Sequence, residues 1–161
     1  MKVVCDSTVL IGLAKIGKIE ILKSIFGTIY IPQAVYEEIV NKGKNKPGSE
    51  EVAKAKWINC QSVNDRRMVK ILQAQLGYGE SEVLLLGKQL NADWLLLDDE
   101  KARNAAVSAN FKIMGLGGVL SVAKDLGFIR HIKPLLNELK NKNFRMSDKI
   151  YKEILKKLGE K

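Results

Sequence analysis

Two acids carry the first chemical signal in this sequence. Asp6 directly follows the apolar run Val3-Val4-Cys5, and Asp98 directly follows Trp94-Leu95-Leu96-Leu97. Short apolar runs of this kind read as buried strands of a parallel sheet, and such sheets bind ligands beyond the carboxyl ends of their strands. Both carboxylates should therefore emerge at one edge. Two like charges there are tolerable only with a cation or hydrogen-bond donors beside them. An Asp after a strand also commonly caps the following helix.

Other acids are placed by helical geometry. On a wheel of ~100° per residue, Val35 and Ile39 define a buried stripe. Glu38 falls roughly 60° from Val35 and Glu37 about 160°, so Glu38 is expected to border the core and Glu37 to face water. Glu80 and Glu82 open a helix beginning near Gly79, where negative charge suits the helix dipole. Val83, Gly87 and Leu90 mark a packing face that places Glu80 closer than Glu82, so Glu80 ranks first and Glu82 is the alternative. Asp99 reads equally as a partner of Asp98 or as the cap of a helix starting at Glu100. One histidine, His131, excludes a zinc site built from several histidines and disfavours a His-based triad. Cys5 and Cys60 lack metal-ligand spacing. Carboxylates remain, and hard divalent cations take oxygen ligands.

The elements that must hold these acids alternate between strand and helix, which predicts a parallel sheet covered by helices. Strands are expected at Lys2–Cys5, Thr28–Ile31, Ile58–Ser62, Trp94–Leu97 and Lys112–Met114. The unalternated Trp94–Leu97 run should be a central strand buried on both faces. Helices are expected from Pro32 to Asn41, Ser49 to Lys56, Asp65 to Leu76, Glu80 to Leu90, Glu100 to Ala109, Leu120 to Leu126, Ile132 to Lys140 and Ser147 to Leu158. Ser147 is the expected cap of the last and Gly159 its stop. Asn41–Ser49, NKGKNKPGS, reads as an exposed basic loop. Gly115-Leu116-Gly117-Gly118 lacks the full glycine spacing of a dinucleotide fingerprint. The order of the acids also differs from that of a receiver-type phosphoacceptor domain.

At 161 residues the chain fits one domain with a sizeable core, and 46% hydrophobic against 28% charged residues is a globular balance. No run approaches the ~20 apolar residues of a membrane helix, and the N-terminus shows no basic-then-apolar leader; the expected location is the cytoplasm. The net charge of +9 favours a polyanionic partner, either nucleic acid or an acidic protein. A lysine-rich solvated surface gives the same count.

Together these segments resemble the PIN-domain nuclease superfamily, in its branch of small archaeal and bacterial VapC-like toxins. The resemblance is carried by Val3-Val4-Cys5-Asp6-Ser7-Thr8-Val9-Leu10-Ile11 with Leu13-Ala14-Lys15-Ile16-Gly17. It continues through Ile31-Pro32-Gln33-Ala34-Val35-Tyr36-Glu37-Glu38-Ile39, Gly79-Glu80-Ser81-Glu82, and Leu95-Leu96-Leu97-Asp98-Asp99 with Ala102-Arg103. It spans residues 1 to about 130, a PIN-like nuclease domain; residues 131–161 are then expected to form a helical extension packed on it. The resemblance implies a three-layer α/β/α sandwich around a mainly parallel sheet, and an acidic cluster binding Mg²⁺ or Mn²⁺. By position the acids are Asp6, Glu38, Glu80 or Glu82, and Asp98 or Asp99; many relatives have Asp at the third position. Ser7 matches a small hydroxyl residue of the site. Arg103 matches an arginine that either binds substrate phosphate or forms a structural salt bridge.

The implied activity is metal-dependent hydrolysis of RNA by the toxin of a toxin–antitoxin pair, with a small antitoxin and a homodimer as partners and no membrane. Lys42, Lys44, Lys46, Arg66, Arg67, Lys101 and Arg103 are candidates to line the approach of RNA. A housekeeping RNA-processing nuclease, or an inactive nucleic-acid or protein-binding module with the same fold, are the alternatives.

Overall fold

Apolar runs too short for helices pair side by side in a computed structural model of the chain, which describes residues 1–146, 148–157 and 159–160. Strands β1 (Val3–Cys5), β2 (Ile29–Pro32), β3 (Ile58–Gln61), β4 (Trp94–Leu96) and β5 (Lys112–Met114) form a wholly parallel sheet in the order β3-β2-β1-β4-β5. Cys5 pairs with Leu96, and Tyr30 with Val4. The chain thus builds outward from β1 to β3, returns to the other side of β1, and builds outward again. Parallel crossovers are right-handed, so this reversal moves the connecting helices from one face to the other and gives three layers.

The helices are α1 (Ser7–Lys15), α2 (Ile21–Phe26), α3 (Gln33–Tyr36), α4 (Ser49–Lys54), α5 (Arg66–Leu72), α6 (Tyr78–Leu90), α7 (Glu100–Ser108), α8 (Leu116–Asp125), α9 (Lys133–Asn141) and α10 (Asp148–Lys157). Helices α1 and α2 stand between β1 and β2, a stretch with no expected element. The Asp6 carboxylate starts α1 by accepting the Val9 amide at 2.9 Å, and Val9, Leu10 and Leu13 turn to the core. Pro32 closes β2 and caps α3, and at Glu37 the α-helix widens into a π-helical turn, Glu37–Asn41, marked by the Lys42 amide donating to the Glu37 carbonyl. Helix α4 is capped by Gly48 rather than Ser49. Helix α5 is shorter than expected and α8 begins a turn earlier. The expected cap Ser147 and helix end Leu158 lie outside the described residues.

Strand β1 is wholly buried and Leu95, Leu96 and Leu97 are inaccessible, as two covered faces require. Each such Leu contributes roughly 1.5–3 kcal/mol by burial. The same cluster takes in Ile132, Leu136, Leu139 and Leu155 from the C-terminal helices. Glu160 ties that tail down: it pairs with Lys124 at 2.6 Å and accepts the amides of Ile132 and Lys133 at the start of α9. Among the described residues no helix is long and apolar enough to cross a membrane.

Candidate active site at the carboxyl edge of the sheet

The reversal of strand order lies between β1 and β4, and open α/β sheets bind ligands in the crevice at such a point. The residues that leave these two strands are Asp6 and Asp98. The Asp6 amide donates to the Leu96 carbonyl at 3.0 Å, and the Asp98 amide donates to Asp6 Oδ2 at 3.2 Å. Asp98 Oδ1 accepts the Leu116 amide at 3.0 Å. Asp98 Oδ2 is buried and has no hydrogen-bond partner among the described residues.

Electrostatics follow from this packing. Asp6 is 3% exposed. Burial pushes its pKa up to about 7, helped by the charges of Asp98 and Glu80 and opposed by the Val9 and Asp98 amides. Burial also raises Asp98, against the pull of the Leu116 amide and the Arg103 guanidinium. Gly115 makes this approach possible: a Cβ there would run into Asp98 Oδ1 and the Arg103 guanidinium. At Gly117 a Cβ would strike the Ile154 side chain at 2.7 Å. The Gly-Leu-Gly-Gly run is therefore a site of close packing beside the acids, and it supplies a donor absent from the sequence expectations, the Leu116 amide. The available signal was its position directly after β5.

The remaining acids are distributed unevenly. Glu80 lies in the first turn of α6, half-buried, with its carboxylate folded against Gly77. Glu82 is fully buried; Oε1 accepts the Ala34 amide at 3.0 Å and Oε2 receives Arg66 Nη1 at 2.6 Å. The wheel that set Glu80 nearer the packing face is thus corrected. Helix α6 lies on β1, β2 and β4 with Ser81 through Gly87 all buried, so it has no single packing face there.

Glu38 is exposed, as is Glu37, which accepts from Gln33 Nε2 at 3.4 Å. The expectation that Glu38 borders the core fails because the π-helical turn, with its i→i+5 bonds, changes the angle per residue on which the wheel depended. Asp99 is exposed and caps α7 through the Ala102 amide at 2.9 Å. Ser7, half-buried, opens α1, and Arg103, also half-buried, sits beside Asp98. Arg66 is committed to Glu82 and Tyr78, whereas Lys42, Lys44, Lys46, Arg67 and Lys101 are exposed.

The structure therefore brings Asp6 and Asp98 together, with the charge of Glu80 in reach. Among the described residues no three His, Cys, Asp or Glu side chains converge closely enough to hold one ion between them. Mg²⁺ nonetheless commonly uses one or two carboxylates and keeps several waters. The buried, unpartnered Asp98 oxygen beside a second carboxylate fits such an ion.

The family model DUF3368, described as a PIN domain, matches residues 2–160. That match includes the C-terminal helices, which the segment-by-segment resemblance left out. A PilT N-terminus domain protein from the hyperthermophilic archaeon Sulfolobus solfataricus P2 has a similar fold, with a TM-score of 0.57 and 18% identity over 76% of this chain and 93% of that one. No curated protein matches. With almost its whole length matched and the same fold observed, the chain belongs to the PIN-domain family.

Proposed function

We propose that this protein is a Mg²⁺- or Mn²⁺-dependent endoribonuclease, the toxin of a toxin–antitoxin pair. PIN domains are generally nucleases that use divalent metal ions. The observation that carries the reading here is the unpartnered Asp98 oxygen against Asp6 at the point where strand order reverses. Asp6 and Asp98 would hold the ion, Glu80 would add negative charge to the pocket, and Glu38 and Asp99 would stand further out.

Bound there, the ion supplies Lewis acidity toward water and phosphoryl oxygens. The protein's own part is to keep Asp6 and Asp98 oriented by the Val9 and Leu116 amides. Arg103 places a cation beside the same edge, where a phosphate group would enter. Exposed lysines on the Asn41–Ser49 loop suit a single-stranded RNA, whose backbone is accessible. Purified protein is expected to cleave single-stranded RNA with Mn²⁺ and to lose that activity in EDTA; cleavage unchanged by EDTA would sink the reading.

A non-catalytic binding module is the second reading, favoured by the exposed Glu38 and the engaged Glu82. It predicts RNA binding without cleavage in the same assay. Homodimerisation belongs to the main proposal, through α5, where Ile71 is 63% exposed. Light scattering at micromolar concentration should give twice the chain mass, and a monomer would refute it. A small partner encoded beside this gene and co-purifying with it would favour the toxin role over RNA processing.

A further inference from the structure

Among the described residues Glu82 is the one glutamate with no exposure at all, and its hydrogen bonds there go to Ala34 and Arg66 rather than to Asp6 or Asp98. An ionised carboxylate in that position is unfavourable unless fully compensated. Compensation comes from two other elements. Ala34 lies in the first turn of α3, which leads into the π-helical turn bearing Glu38; Arg66 opens α5. Arg66 also donates from Nη2 to the Tyr78 hydroxyl at 2.7 Å, closing a link back to the first residue of α6. Glu38 stands four residues after Ala34, and Glu80 two residues before Glu82. The two helices that carry candidate acids are thus joined through one buried side chain.

We propose that Glu82 is a positioning residue that fixes the Glu38-bearing segment against Glu80, and that it does not ligate the ion. Its charge is already met at 2.6 Å by Arg66 and at 3.0 Å by the Ala34 amide, charge-assisted bonds that a shift of α6 past α3 would break. The ion itself rests on the reading given under the proposed function.

The test compares wild type with Glu82→Gln, Glu82→Ala and Glu80→Gln in the full chain. Two readouts are taken: Mn²⁺ affinity by calorimetry, and hydrogen exchange of the Ala34 amide. Gln at 82 keeps an oxygen for that amide, so both readouts should stay within about threefold of wild type. Ala at 82 should speed exchange at Ala34 and weaken Mn²⁺ about tenfold, whereas Glu80→Gln should weaken Mn²⁺ to that extent without altering Ala34. Loss of Mn²⁺ in Glu82→Gln, equal to that in Glu80→Gln and with Ala34 still protected, would make Glu82 a ligand and overturn the proposal. So would unchanged readouts in Glu82→Ala. If the alanine variant does not fold, the glutamine variant alone decides between ligand and clamp. No Mn²⁺ binding by wild type refutes the ion, and exchange at Ala34 then judges the clamp alone.

Discussion

Asp6→Asn is expected to lower RNA cleavage on the order of 100-fold or more and, in the same molecule, to raise the stability of the metal-free protein at pH 8. The two effects share a cause. Folding moves the Asp6 carboxylate from water into a site where its pKa rises from 3.8 to about 7. At 1.36 kcal/mol per pKa unit, keeping it ionised at pH 8 opposes folding by about 4 kcal/mol. Asn carries no charge and still offers an oxygen to the Val9 amide, so α1 keeps its cap. One bond, from the Asp98 amide, is lost, worth about 1 kcal/mol. The net gain should be about 2–3 kcal/mol, read as a higher denaturant midpoint in EDTA. A variant that is both less stable and fully active would contradict the assignment of Asp6. Stability given up at a site that needs charge is a common pattern in enzymes.

The second large effect is a stability that falls as pH rises through the neutral range. Folded Asp6 holds its proton more tightly than the unfolded chain does, so folding takes up a proton between about pH 4 and 7. Its contribution is complete below the unfolded pKa of 3.8 and is lost as pH climbs through about 7, a fall of about 4 kcal/mol. Asp98, raised by burial in the same direction, steepens this limb.

Glu160 works oppositely. Burial would raise it, but the Lys124 ammonium and the amides of Lys133 and Ile132 pull it from 4.5 down to about 2. Its stabilisation is present above pH 4.5 and lost as pH drops toward 2. The metal-free protein should therefore be most stable near pH 4–5, roughly where the two limbs meet. Urea midpoints across pH in EDTA check this, with Asp6→Asn flattening the upper limb and Glu160→Gln the lower. A wild-type midpoint that rises between pH 5 and 7 would rule the Asp6 assignment out. Mn²⁺ should reverse the upper limb, since binding displaces the proton.

Much of this molecule is legible in its residues. Unalternated apolar runs ended by an acid read as buried strands that deliver a carboxylate to an edge, and Asp6 and Asp98 are delivered there. Asp65 and Asp99, each before a helical run, cap α5 and α7 as their type and position suggest. These are local or period-based signals, and the physics behind them is short-range.

What the residues left open was decided by tertiary packing. No local rule distinguishes Glu80 from Glu82: only the placement of α6 across three strands, and of Arg66 and Ala34 against it, drives Glu82 inside and leaves Glu80 near Asp6. No wheel foresees that α3 widens at Glu37 and turns Glu38 to water, because a wheel assumes the repeat that the π-helical turn breaks. Strand order, and with it the adjacency of two acids 92 residues apart, comes from burying a whole sheet between two layers of helices. Sequence thus supplied the charges and the elements; the compromise between burying them and compensating them belongs to the folded chain.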